Sequence, residues 1–358
     1  MSKLTITSLV IHLSLLCAAE PVVLWAAEPE HNQTSTASEK TSKSIQLNPG
    51  SMLSRMGNAM LDSNYRLSLV YLHDGRVDSL RWNHLYEEGN RFDKLENLQG
   101  VRREVISHNS DTYLIMDNDL IHLSSNDDSP VVRWQRQLSL LAKNQKQYKI
   151  LLSGPSRIAG RRSYQLLFVP NDGERLGSRI WVDFLSGLPL SVDTIDNNGR
   201  VVEQMMTVEL HLEGDMSAAD FDIPKNMNLR ENVFEFNSQL PVQASLDKSQ
   251  INVNKSSWTV GWLPVGFELT ESMKTNRDAS KYSHLIFNDG MTTLSVFVEK
   301  MTNSEPMEPR TEYRGGTLIY DIAWQDKRVT VVGSITTPVA DKIARSVIPA
   351  TDIATAQE

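Results

Sequence analysis

From Ser153 to Thr207 strand-like runs alternate with glycine-marked turns, a pattern that predicts a meandering antiparallel sheet. Tyr164 to Val169 is apolar and aromatic, and Pro170-Asn171-Asp172-Gly173 closes it as a turn whose glycine tolerates positive φ. Arg179 to Phe184 alternates polar and apolar side chains before Gly187-Leu188-Pro189. Leu190 to Ile195 follows and ends at Asp196-Asn197-Asn198-Gly199. Val201 to Leu212 resumes the pattern. Met206, Val208, Leu210 and Leu212 recur there at period two, which predicts one apolar face, with Thr207, Glu209 and His211 on the other. An apolar sheet face needs cover. Ser51 is read as the cap of a helix whose Leu53, Met56 and Met60 recur at helical spacing, ending at Asp62-Ser63-Asn64. The stripe reads first as ordinary core packing, which is compatible with a lid if that core is also a pocket.

The same reading extends to both sides. Leu67, Leu69 and Tyr71 alternate with Arg66, Ser68 and Val70 over Tyr65 to Leu72, and His73-Asp74-Gly75 supplies a hairpin turn to a strand through Leu80, Trp82 and Leu85. Tyr113 to Met116 and Leu120 to Leu123 flank Asp117-Asn118-Asp119 as another hairpin. A second helix is expected over Trp134 to Lys146, with Leu138 and Leu141 on its apolar side. The pattern loosens over 214–257, which reads as a connection between domains, with Val233 to Phe236 as an edge strand added to one of them. Beyond it, Trp258 to Phe267 looks like a strand entering a tight turn. Strands follow at Tyr282 to Phe287, Thr293 to Lys300, Thr317 to Trp324 and Lys327 to Ser334, and a helix over Val339 to Val347 docks on them. The fold class expected is α+β: a curved antiparallel half-barrel covered by helices over 49–213, then a smaller α+β domain over 258–350.

The N-terminus changes the picture of where this fold works. Residues 4 to 16 are largely apolar behind Lys3, and small residues follow at Cys17-Ala18-Ala19 and Ala26-Ala27. That is the anatomy of a secretory signal peptide over 1–27, with cleavage after about residue 19 or 26. A polar leader over 28–48, rich in Ser, Thr, Glu and Lys, is expected to be disordered. Cleavage removes Cys17, the one cysteine of the chain, and with it any disulfide, thiolate metal site or cysteine nucleophile. A net charge of −8 argues against a nucleic-acid binder, which needs a basic surface. Arg157, Arg161 and Arg162 form a small basic cluster that reads as a solvated turn or as the rim of an anion site.

No nucleophile elbow, zinc-binding histidine pair, phosphate-cradling glycine loop or nucleotide fingerprint is present. His73, His84, His108, His122, His211 and His284 fall on different elements without ligand spacing, and Asp127-Asp128 reads as a solvated turn. No enzyme activity, metal or cofactor is expected. What remains is binding: an apolar sheet face under helices, in a chain with thirteen methionines, can enclose a lipid-sized cavity.

Arg157-Ile158-Ala159-Gly160-Arg161, Pro170-Asn171-Asp172, Gly177, Arg179, Trp181, Asp183, Gly187-Leu188-Pro189-Leu190, and Gly199 with Glu203 resemble the lipoprotein-carrier-like sheet of RseB/MucB proteins. Those are periplasmic regulators of the sigma-E envelope-stress pathway. Gly261-Trp262-Leu263-Pro264-Val265-Gly266-Phe267, Asn288-Asp289-Gly290 through Ser295-Val296-Phe297, and Val331-Val332-Gly333 are similar to that family's second domain. The resemblance implies binding to the periplasmic segment of a membrane anti-sigma factor, shielding it from site-one proteolysis, and release by lipopolysaccharide or another envelope lipid. A carrier of lipid or lipoprotein is the alternative, and a homo-oligomer is compatible with either. Aromatic anchors dominate hot spots, so Trp262, Phe267, Phe287, Phe297 and Trp324 are the candidate partner contacts. Trp82, Leu138, Leu141 and Trp181 are the candidate lipid-pocket residues.

Overall fold

The computed structural model describes residues 48–109, 111–124, 145–212, 215–230, 257–274, 282–301 and 308–350. The signal peptide, the leader, nearly all of the second helix with Leu138 and Leu141, Asp127-Asp128, and Val233 to Phe236 lie outside the described residues.

Helix α1 (Pro49–Asp62) starts at Asn48, three residues earlier than the Ser51 cap expected from sequence. The Asn48 side chain accepts from the Ser51 amide at 2.9 Å, and the Ser51 hydroxyl accepts from the Asn48 amide. Asn48 and Ser51 thus satisfy each other's free amides, and Pro49, which has no amide to satisfy, fits the first helical position. Leu53, Met56 and Met60 form the buried face, joined by Met52 and Ala59.

The large sheet grows outward from its centre. Strands β1 (Tyr65–His73), β2 (Arg76–Glu87), β3 (Asn90–Asn97), β4 (Arg103–His108), β5 (Asp111–Met116) and β6 (Asp119–Ser124) form one antiparallel meander. Strands β7 (Tyr148–Ile158), β8 (Arg161–Pro170), β9 (Gly177–Asp183), β10 (Pro189–Ile195) and β11 (Val201–Leu212) form a second, which returns so that β11 pairs with β1. β12 (Asn228–Arg230) adds a parallel edge beside β6, giving a twelve-stranded curved sheet. Phe221, in the turn before β12, is fully buried against Phe92, and its carbonyl accepts from His108. Residues 218–230, read from sequence as part of the connection, therefore pack on this sheet.

Its core lies on the face that carries α1. Leu67, Leu69, Tyr71, Leu80, Trp82, Leu95, Leu166, Phe168, Ile180, Val182 and Val192 meet the helix methionines there. Each fully buried Leu, Met or Phe contributes about 1.5–3 kcal/mol through removal from water. One expectation is reversed by the strand itself. The pairing steps from Ser68–Glu209 to Leu69–Thr207, leaving Val208 as a bulge residue. Met205, Thr207 and Leu210 consequently face the core side, whereas Val208 is exposed. An extra residue shifts the side-chain period by one, so an unbroken period-two pattern assigns half of β11 to the wrong face.

The second sheet has six strands in the order β14 (Glu268–Lys274), β15 (Tyr282–Asn288), β16 (Thr293–Lys300), β19 (Lys327–Gly333), β18 (Thr317–Trp324) and β17 (Arg310–Arg314), all antiparallel. Helix α2 (Thr337–Arg345) packs on it through Val339, Ala340, Ile343 and Ala344. The helix stops at Arg345, short of the Val347 expected from spacing. Val347 instead opens β20 (Val347–Pro349), which pairs with β13 (Trp258–Val260).

Candidate functional site

The residues singled out by sequence fall into distinct environments. Trp82 lies in the core under α1, and its indole donates to Asp93 at 3.0 Å. Trp181 is on the opposite face of the sheet, because β9 turns Ile180 and Val182 inward. The structure does not bring Trp82 and Trp181 together. Around Trp181 stand two ion pairs, Arg161 with Asp183 at 2.9 Å and Arg179 with Asp193. Burial raises the Asp193 carboxyl to about 6 despite its arginine. Burial acts the same way on Asp183, but Arg161 and the Ser186 amide and hydroxyl outweigh it and hold that carboxyl below its ordinary range. The motif residues Arg161, Arg179 and Asp183 thus build a charge ladder across β8, β9 and β10.

Of the basic cluster, Arg161 is committed to Asp183. Arg162 lies over the Phe184 ring at 4.7 Å, which Arg55 of α1 approaches at 5.8 Å. Beside Arg55 is an open recess of about 500 Å³ lined by Arg55, Asn58, Ala59, Asp62, Ser63 and Ser186. Neither Trp82 nor Trp181 lines it. The apolar interior of the half-barrel is instead filled by α1, with Met52, Met56 and Met60 each at most 3% exposed. Unbranched thioether side chains fill such irregular space readily.

The aromatic candidates of the second sheet divide in three. Phe267 and Phe287 are core residues. Phe297 lies on the face away from α2, stacked on His284 with ring centroids 4.0 Å apart. Trp262 and Trp324 are half-buried and flank α2. The Lys342 ammonium sits 3.5 Å from the Trp262 ring centroid and the Arg345 guanidinium 4.4 Å from that of Trp324. Lys342 and Arg345 are three apart on one helix, so they present both tryptophans along one basic-aromatic edge.

Local periodicity gives no sign of the contacts that join the two sheets. The turn Asn288-Asp289-Gly290 inserts Met291 into the core of the large sheet, where it is 7% exposed. Asp289 is fully buried. It accepts from the Met291 and Thr292 amides, from the Tyr148 hydroxyl and from the Arg175 guanidinium, itself fully buried. Arg175 also reaches Asp172 and the Val265 carbonyl and lies 4.8 Å from the Phe267 ring centroid. Burial, reinforced by the Asp289 charge, holds the Tyr148 phenol protonated well above its usual range. A backbone ladder flanks the cluster, with the Leu176 amide donating to Ser334 and Thr336 donating to Glu174. A second contact lies where the Gly315-Gly316 turn between β17 and β18 meets Asp74 and Glu203.

Among the described residues no group of three or more His, Cys, Asp or Glu could hold a metal ion, and no helix is long and apolar enough to cross a membrane. Comparison with known proteins gives a consistent result. The MucB/RseB N-terminal domain matches residues 48–225, and the MucB/RseB C-terminal domain matches residues 252–348. The sigma-E factor regulatory protein RseB of Escherichia coli K12 is 26% identical over 303 residues, covering 83% of this chain and 90% of that protein. The sigma factor AlgU regulatory protein MucB of Pseudomonas aeruginosa PAO1 is 26% identical over 312 residues, with the same two coverages. In a crystal structure of MucB in complex with MucA(peri), the matching chain is similar with a TM-score of 0.66 at 22% identity, over 84% of this chain and 99% of that one.

Proposed function

The chain belongs to the MucB/RseB family, and on that basis we propose that it is a periplasmic regulator that binds the periplasmic segment of a membrane anti-sigma factor. In this reading the bound segment is shielded from site-one proteolysis until lipopolysaccharide or another envelope lipid releases the protein. The observation that carries the proposal is the match of both domains in order, over 48–225 and 252–348, with relatives named as sigma-factor regulatory proteins. A carrier needs only the half-barrel. A regulator uses the second domain to grip a peptide.

The geometry supports a division of labour. The edge formed by Trp262, Trp324 and Lys342, with Arg345 ion-paired to Asp341 beside it, offers aromatic surface and the Lys342 charge to an acidic-aromatic peptide. The methionine-lined interior beneath α1 suits acyl chains. Lipid and peptide are then linked: a lipid that prefers the released form weakens the peptide by the same coupling free energy, about 1–3 kcal/mol for a clear switch.

Titration calorimetry against the periplasmic segment of the host's anti-sigma factor, alone and with lipopolysaccharide, tests this. Binding that the lipid weakens roughly 5- to 150-fold is the expected result. No binding at micromolar concentration, together with retention of acylated peptides, would replace the regulator by a carrier.

A further inference from the structure

We propose that Glu203 is a proton-operated latch between the two domains: its protonation holds the β17–β18 turn against the rim of the large sheet, and its ionisation lets that contact open about the Arg175 anchor. The proposal concerns the domain arrangement and does not depend on which partner the chain binds.

Glu203 is 2% exposed, on the core-facing side of β11 at the rim of the sheet. Its Oε1 accepts from the Tyr71 hydroxyl, and its Oε2 accepts from the Gly316 amide of the second domain at 3.0 Å. The turn fits by having no side chains. A Cβ on Gly315 would stand 2.6 Å from Glu203 Oε1, and one on Gly316 2.6 Å from Thr194 Cγ2. Beside this contact the Gly315 amide donates to Asp74 Oδ1. The carboxyl is therefore covered by the docked turn, with no cation in direct contact among its hydrogen-bond partners.

The surrounding charges are few. From β1, His73 stacks on Tyr71 with centroids 4.2 Å apart and turns its ring nitrogens to Asp74 at 3.4 Å and Asp78 at 2.9 Å. From the second domain, Arg314 is paired with Glu312. Burial is the leading influence on Glu203. It raises the carboxyl to about 7, assisted by the Asp74 charge and opposed by the Tyr71 and Gly316 hydrogen bonds and by His73. The sign follows. A carboxyl with a raised pKa in the docked state binds a proton that the open state releases, so docking weakens as pH rises from about 4.5 towards about 7 and is flat above. In the other contact between the domains the cation is the Arg175 guanidinium, which stays charged across this range.

The test is a distance measurement by electron spin resonance between labels at Val77→Cys and Thr311→Cys, both exposed and on either side of the contact, in the chain carrying Cys17→Ser. Between pH 5 and pH 8 the ratio of docked to open molecules should fall by about tenfold per pH unit over the responsive range. Glu203→Gln should keep the acidic distance distribution at pH 8. Gly316→Ala, which leaves Glu203 in place and obstructs the turn, should populate the longer distance at both pH values with unchanged secondary structure by circular dichroism. A wild-type distribution identical at pH 5 and pH 8 overturns the proposal, whatever the variants do. So does a Glu203→Gln protein that keeps the full pH response.

Discussion

At the scale of single residues, the most consequential polar group inside the large sheet is His84, which is fully buried. Its Nδ1 faces Asp93 at 2.9 Å and its Nε2 faces the Leu61 carbonyl at 3.2 Å, so both ring nitrogens meet acceptors and the imidazolium fits the site. Burial alone would lower the histidine pKa, but the charge and hydrogen bond of Asp93 and the Leu61 carbonyl outweigh it and the pKa is raised. The contribution of the pair to stability is complete below the unfolded value near 6.5 and is lost as pH rises through the higher folded value. Asp93→Asn removes the charge that holds the imidazolium and should cost about 3–5 kcal/mol where the histidine is protonated. Urea denaturation at pH 5.5 and pH 8.5 checks this: the gap between wild type and variant should be larger at pH 5.5. An equal gap at both values would mean that the pair is neutral in the fold.

At the scale of elements, α1 offers a clean test of what starts a helix. Asn48→Ala removes the acceptor for the Ser51 amide and should cost about 1 kcal/mol, whereas Ser51→Ala should cost less, because Ser51 is the third helical residue and not the cap. Thermal melts that rank the two the other way would return the cap to Ser51. The apolar stripe of α1 was legible because Leu53, Met56 and Met60 obey one period, and the hairpins were legible because Asp74-Gly75 and Asn288-Asp289-Gly290 are strong turn signals. The Val208 bulge was not, since nothing in Met206 to Leu212 marks an extra residue until the partner strand is known. Edge strands β14 and β17 escaped for a related reason: exposed positions along Arg310–Arg314 carry no apolar alternation. Among the candidate anchors, α2 separates the accessible from the structural. Trp324 rests against Arg345 beside the helix, whereas Phe287 is interior. Trp324→Ala should therefore lower affinity for the anti-sigma segment by about 2 kcal/mol or more with an unchanged melting transition. A variant that binds normally, or one that melts early, would remove Trp324 from the interface.

At the scale of the whole molecule, each sheet has its own apolar core, and only a small set of groups crosses between them. Tyr148, Arg175 and Glu203 meet partners 141, 114 and 113 positions away in sequence, which is why the reading of local patterns passed over Tyr148 and Arg175 and noted Glu203 only as a family motif. Asp289, noted from sequence as part of a turn, becomes the centre of the anchor for the same reason. Its local role, accepting amides of its own turn, and its distant role, accepting from Arg175 and Tyr148, use different oxygens. Arg175→Met leaves Asp289 buried without its cation, a change that costs about 3–5 kcal/mol for a buried pair. Because the loss falls mainly on the junction, where Arg175 touches only the Tyr148 and Phe267 rings at the edge of each core, calorimetry should show one transition for the wild type and two for the variant. Asp289→Asn in the same background should recover part of the loss, since an uncharged amide in that cavity no longer lacks a counter-ion. A single transition displaced to lower temperature in Arg175→Met would instead assign the coupling to Met291 and the backbone ladder beside it. The anchor would then be only one contact among several.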